Sequence, residues 1–86
     1  MDINRTAEAI DVFLKGYKGR GGRGPVETRV NPSGDDMQAI KVWVNLGADA
    51  ESDDLEAWCA DAEAAIRKGM GADVEPYTLE MRADSI

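Results

Sequence analysis

Residues 37–46 read MQAIKVWVNL, and from Ile40 to Leu46 every second side chain is aliphatic. Only a β-strand places every second side chain on one face, so this stretch commits the chain to a sheet with one buried face. Ile40, Val42, Val44 and Leu46 share the face expected to be core. Lys41 and Trp43 fall on the other. A sheet with one apolar face needs a layer over it, so the remaining segments are read for what could supply that layer.

VETRV, 26–30, also alternates and is followed by the turn signal NPSGDD, 31–36, so 26–30 and 37–46 read as a hairpin. YTLEMRA, 77–83, reads as a third strand whose start Pro76 marks. Val26, Thr28 and Val30, then Tyr77, Leu79 and Met81, are expected to join the core face. Glu27, Arg29, Thr78, Glu80 and Arg82 join Lys41 and Trp43 outside.

Two helices fit the covering layer. In 4–15, Ile3, Ala7, Ile10 and Leu14 recur at helical spacing, with Phe13 widening the stripe. Asn4 or Thr6 is the expected N-cap and Gly16 the stop. In 53–68, Leu55, Trp58, Cys59, Ala62, Ala65 and Ile66 form one stripe at 100° steps. Ser52 suits the N-cap, Asp53 and Asp54 suit the positive end of the helix dipole, and Arg67 and Lys68 the negative end. Gly69 or Gly71 ends this helix. The order is α-β-β-α-β. The expected fold is α+β, a two-layer sandwich of a three-stranded sheet with two helices on one face. The 86 residues make a single small domain, 1–86, with a flexible Gly/Arg loop at 16–25.

Charge is segregated. The net charge is −7, yet residues 15–29 hold Lys15, Lys18, Arg20, Arg23 and Arg29, half of the chain's 10 basic residues. Residues 49–63 carry seven acids and no base. Such a field speaks to partners rather than to fold.

Several chemistries lose their usual carriers. The chain has no histidine, the common general base near neutral pH, and one cysteine. Cys59 lies on the apolar stripe and reads as a packing thiol. No Cys/His cluster suggests zinc, and DAESDD, 49–54, lacks the central glycine and closing glutamate of a calcium loop. The glycines at 16–24 fit neither phosphate-binding glycine pattern. No cofactor, metal or catalytic residue is expected, and the chain reads as not an enzyme. No apolar run approaches a membrane span, the N-terminus does not read as a secretory signal, and a lone cysteine fits a reduced, cytoplasmic setting.

Three candidate binding elements remain. The first is the outward face of the second helix. Ala57, Ala60 and Ala64 form a strip of small residues there, railed by Asp54 and Asp61 on one side and Glu56 and Glu63 on the other, with Asp53 at the start. Small residues allow close approach, and the rails favour a basic partner. Solubility and helix propensity alone would also favour these residues. The second is the basic loop, with Lys15, Tyr17, Lys18, Arg20 and Arg23. RGGRG resembles the RGG segments of RNA-binding proteins, where arginine contacts phosphates and stacks on bases. The same loop could instead lie along the chain's own acidic helix. The third is the sheet face, with Arg29, Lys41, Trp43 and Arg82, which could stack a base or anchor a protein, unless the loop or a terminus covers Trp43.

The expected function is a non-enzymatic protein-binding module whose acidic helix docks a basic, nucleic-acid-binding protein. In size and acidity the chain resembles small phage-encoded inhibitors, anti-CRISPR proteins among them, which would imply a blocker or nucleic-acid mimic. The alternative is a small RNA- or DNA-binding protein using the loop and Trp43, with direct nucleic-acid contact ranked lower because acids outnumber bases 17 to 10. A homodimer through the alanine strip or an exposed sheet edge is also open to the chain.

Overall fold

A computed structural model describes residues 2–35 and 37–86, so Asp36, the last residue of the NPSGDD turn signal, lies outside the described residues. The first helix, α1, runs Ile3–Lys15 and buries Ile3, Ala7, Ile10 and Leu14, the stripe read from the sequence. Its cap differs from the expected Asn4 or Thr6. Asp2 holds the N-cap and its carboxylate accepts from the Arg5 N–H at 2.9 Å. Thr6 is buried inside the first turn, where its hydroxyl donates to the Asp2 carbonyl at 3.0 Å. An aspartate one residue before the apolar stripe makes the better cap because its side chain is outside the helix. Gly16 ends α1 as expected.

Strand β1 is Glu27–Pro32 and β2 is Ala39–Asn45, paired antiparallel with Arg29 opposite Trp43 and Pro32 opposite Ile40. β1 therefore outruns its expected end at Val30 and takes in a proline. The ladder explains this. The Ser33 N–H donates to the Ala39 carbonyl at 2.9 Å, so residue 33 turns its backbone groups toward β2 and Pro32 turns its nitrogen to the open edge. A missing N–H there breaks no ladder bond. Val26 corrects another expectation. It precedes the strand and is 73% exposed rather than core. Thr28 and Val30 are half-buried under α1, and the Thr28 hydroxyl donates to Asp11 at 2.5 Å.

Ile40, Val42, Val44 and Leu46 are all buried. The second helix, α2, is Ser52–Met70, longer than expected at both ends. Its N-cap is Glu51 rather than Ser52, and no side chain bonds the cap. Gly71, at φ +54°, ends it, and Gly69 stays inside. A Cβ on Gly69 would lie 2.9 Å from Phe13 Cε2, so the glycine lets the ring of α1 approach α2.

After α2 the chain returns in β3, Thr78–Asp84, parallel to β2, with Leu79 opposite Ile40 and Met81 opposite Val42. Tyr77 lies just ahead of the strand. Sheet order is β1-β2-β3. Arg67 pins the return by donating to the carbonyls of Val74 and Tyr77, both at 2.9 Å. α1 lies over β1 and α2 over β3, so both helices cover one face of a mixed three-stranded sheet, the α+β sandwich expected from the sequence. Trp58, 1% exposed, is a large buried side chain of the α2 stripe. Ala62 and Ile66 share its burial, while Leu55, Cys59 and Ala65 are half-buried. Among the described residues no helix is long and apolar enough to cross a membrane.

Candidate functional site: an acidic helix flank under a basic loop

The glycine-rich loop lies against α2. Its centre is a 3-10 turn, Arg20–Gly22, closed by bonds from the Gly19 N–H to the Arg23 carbonyl at 2.8 Å and from the Gly22 N–H to the Gly19 carbonyl at 2.9 Å. Gly21 and Gly22 take φ of +71° and +74°, the left-handed region that glycine enters without steric cost. Gly19 serves a different need. A Cβ there would lie 2.7 Å from Trp58 Nε1, so only a bare backbone passes so close to the indole. The Trp58 indole N–H then donates to the Arg23 carbonyl at 2.9 Å. Tyr17 meets the same indole edge-on, with centroids 5.6 Å apart, and Phe13 stacks behind Tyr17.

This seating delivers the arginines onto acids. Arg20 Nε donates to Asp61 Oδ2 at 3.1 Å. Arg23 donates to the Leu46 carbonyl at 3.0 Å and to Asp49 Oδ1 at 3.2 Å. The Arg23 bond holds the Asp49 carboxyl below its usual range. Burial, with Asp61 nearby, pushes the Tyr17 hydroxyl up. Lys15 pairs back along α1 with Asp11 at 2.9 Å, and Lys18 is exposed.

The rails of α2 thus have separate surroundings. Asp54 and Asp61 flank the loop, and Asp54 lines a cleft of about 140 Å³ with Arg20, Arg23 and Trp58. Glu56 lines a groove with Met81, Arg82 and Ala83 of β3, and Glu63 pairs with Arg67 at 3.6 Å. Ala60 and Ala64 are exposed and Ala57 half-buried. Among the described residues, Asp53, Asp54 and Glu56 are exposed and form no ion pair. Burial, then Glu56 and Glu63, push the Cys59 thiol up, which disfavours the thiolate.

The sheet face forms a second, separate surface. Trp43 is half-buried. Its indole N–H donates to Asp84 Oδ2 at 2.7 Å, and the Arg29 guanidinium lies 5.3 Å over its ring. Arg29 also bonds Glu27 at 3.1 Å, and Arg82 pairs with Asp84 at 3.4 Å. Lys41, Trp43, Glu80 and Arg82 line a shallow cleft of about 420 Å³. The loop does not cover Trp43. It lies in the helix layer, so Arg20 and Trp43 belong to opposite layers of the sandwich.

The alternative that the loop lies along the chain's own acidic helix is the one the structure shows, although the sequence did not pair Arg20 with Asp61 and gave Asp49 no binding role. Sequence reading placed Trp58 on the core stripe and missed it as the seat of the loop. A buried tryptophan needs an acceptor for its N–H, and a glycine-rich segment offers bare carbonyls, so composition did hold a signal. Comparison with protein-family models, with curated proteins and with solved structures found no match for this chain.

Proposed function

We propose that this protein is a non-enzymatic binding module whose α2 flank docks arginine-rich surface on another protein. One observation carries the reading. The flank already takes a guanidinium from a glycine-rich backbone, Arg20 onto Asp61 at 3.1 Å, while Asp53 and Asp54 stand open beside Ala57, Ala60 and Ala64. The chain's own loop is a worked instance of the ligand chemistry, and the open acids provide room for more of it. Charge-assisted pairs to arginine give geometric specificity as well as attraction.

Proteins that bind nucleic acid present such surface, and carboxylates along a rigid helix suit a groove built for phosphates. Blocking such a protein in the cytoplasm is the activity this reading assigns. Direct nucleic-acid binding is less well supported, because two arginines of the loop are turned onto the protein's own oxygens and Trp43 lies in the other layer.

The test is titration of the protein with a fluorescent octa-arginine peptide and, separately, with single-stranded RNA. The peptide is expected to bind and to lose about tenfold or more in affinity with Asp53→Lys plus Asp54→Lys. RNA is expected not to bind at physiological salt. Equal peptide affinity for the wild type and the double variant would remove α2 from the account. RNA binding lost on Arg20→Ala would replace it with the nucleic-acid reading.

A further inference from the structure

We infer that the chain forms a symmetric dimer by antiparallel pairing of β3 with β3 of a second copy, joining two three-stranded sheets into one. β3 is an edge strand, and its free side is defined by the ladder on its other side. The Thr78 N–H donates to the Gln38 carbonyl and the Leu46 N–H to the Asp84 carbonyl, both at 2.8 Å. In a parallel ladder alternate residues bond the neighbour, so Thr78, Glu80, Arg82 and Asp84 face β2. Leu79, Met81 and Ala83 therefore turn their N–H and C=O groups outward. Among the described residues nothing pairs with them. An uncovered row of this kind is a template for another strand.

The sequence of β3 is complementary to itself. TLEMRAD, read against its reverse with the two-fold axis at Met81, sets Leu79 opposite Ala83, Glu80 opposite Arg82 and Thr78 opposite Asp84. The outward-bonding residues 79, 81 and 83 meet one another, so backbone parity and side-chain pairing agree. On the open face each Glu80 meets the other copy's Arg82. Opposite charges directly across a ladder stabilise it, and like charges oppose it. On the helix side Met81 and Ala83 continue into a groove of about 280 Å³ lined also by Leu55 and Cys59, which an added strand would close. A two-fold axis makes each contact twice, as closed dimers do.

The other edge is less suited. β1 offers no outward N–H at Pro32, whereas Leu79, Met81 and Ala83 of β3 keep theirs. Facing β3 as a fourth strand, a second copy meets matched charge. Stacked face to face on the open sheet surface with the two-fold along β2, it meets like charge, Arg29 on Arg82 and Glu27 on Asp84.

The experiment is sedimentation equilibrium of the full chain at about 150 mM salt, where the Debye length of roughly 8 Å screens the repulsion between two acidic copies. Wild type is expected at twice the chain mass of 9.3 kDa. Arg82→Glu alone and Glu80→Arg alone should each weaken dimerisation about tenfold or more, and the double swap should restore it, since each new arginine again meets a glutamate. Ala83→Pro should give a folded monomer, because the lost N–H faces outward. Amide exchange in the wild type supplies a readout that needs no variant. Leu79, Met81 and Ala83 should be protected at high concentration and exposed at low. A monomer at millimolar concentration would overturn the proposal. So would a dimer indifferent to both single reversals, or one whose 79, 81 and 83 amides exchange freely.

Discussion

Replacing Gly19 with alanine tests whether the loop is seated on Trp58 or only lies near it. The φ of Gly19 is −94°, outside the left-handed range, and the obstacle a side chain meets there is contact. The new methyl would lie 2.7 Å from Trp58 Nε1, 3.0 Å from Tyr17 Cε2 and 3.1 Å from Trp58 Cδ1, all atoms of two rings. Trp58 is 1% exposed and has no room to retreat, so the loop must lift. Overpacking of this kind costs about 1–3 kcal/mol, and lifting the loop also strips the Trp58–Arg23 hydrogen bond, worth about 1 kcal/mol. The expected loss is about 2–4 kcal/mol against a total of roughly 4–13 kcal/mol for a chain of this length.

Urea unfolding followed by far-UV circular dichroism gives the stability, and tryptophan emission reports the indole environment. Gly21→Ala is the control. Nothing lies within 4 Å of a Cβ there, but φ is +71°, so its loss of about 1–2 kcal/mol is purely conformational. Trp58→Leu separates the two causes. If Gly19→Ala acts by collision, removing the ring should make the pair lose less than the sum of the singles, whereas Gly21→Ala should add to Trp58→Leu. Additivity of Gly19→Ala with Trp58→Leu to within about 0.5 kcal/mol would refute the close approach.

Other outcomes follow from the titratable groups. Burial opposes ionisation of Asp11, but the bond from the Thr28 hydroxyl and the neighbouring Lys15 outweigh it, and the carboxyl lies below its ordinary 3.8. A folded-state pKa below the unfolded value stabilises fully above the unfolded pKa and is lost as pH falls through the folded one. The stability gap between wild type and Asp11→Asn should therefore be widest near neutral pH and close below about pH 4, and a gap that widens on acidification would contradict the assignment. Cys59 is raised above its ordinary 9 by burial, then by Glu56 and Glu63. Its labelling by a thiol reagent at pH 8 should be several-fold slower than that of a free cysteine, and Glu56→Gln should speed it. Equal rates would place the thiol in open solvent.

Periodicity carried the layers. The alternation at 40–46 and the stripes of α1 and α2 identified Ile10, Leu14, Ile40, Val42, Val44, Trp58, Ala62 and Ile66 as core, because burial of one face dominates these segments. Element ends were harder, since they depend on one or two local bonds. Asp2 capped α1 in place of Asn4 or Thr6, and Pro32 was admitted to β1 because its nitrogen faces outward. The parallel return of β3 does not follow from alternation, which fixes the buried face and not the direction of the neighbour; its signal is the helix between β2 and β3, the crossover that joins parallel strands. The site was legible as residue types only. Arg20 and Asp61 are 41 positions apart in the sequence, and their meeting depends on where Gly19 crosses Trp58.

That crossing also accounts for a strongly basic, glycine-rich segment in a chain of charge −7. Glycine density suggests mobility, yet three of these glycines have structural reasons of another kind. Gly19 permits contact with a buried ring, and Gly21 and Gly22 turn the backbone through the left-handed region. The arginines that follow are then placed on acids, Arg20 on Asp61 and Arg23 on Asp49, with Asp54 lining the cleft between loop and helix. Loop and flank are in this sense one electrostatic unit, and an incoming arginine must add to the open Asp53 and Asp54 or displace Arg20. The two proposed contacts use different sides of α2. Pairing through β3 engages the Leu55, Glu56 and Cys59 side, whereas the loop and Asp54 lie on the other. A dimer would therefore present two acidic flanks at once, and bivalent engagement of a basic partner would exceed the affinity of either flank alone wherever the partner can span both.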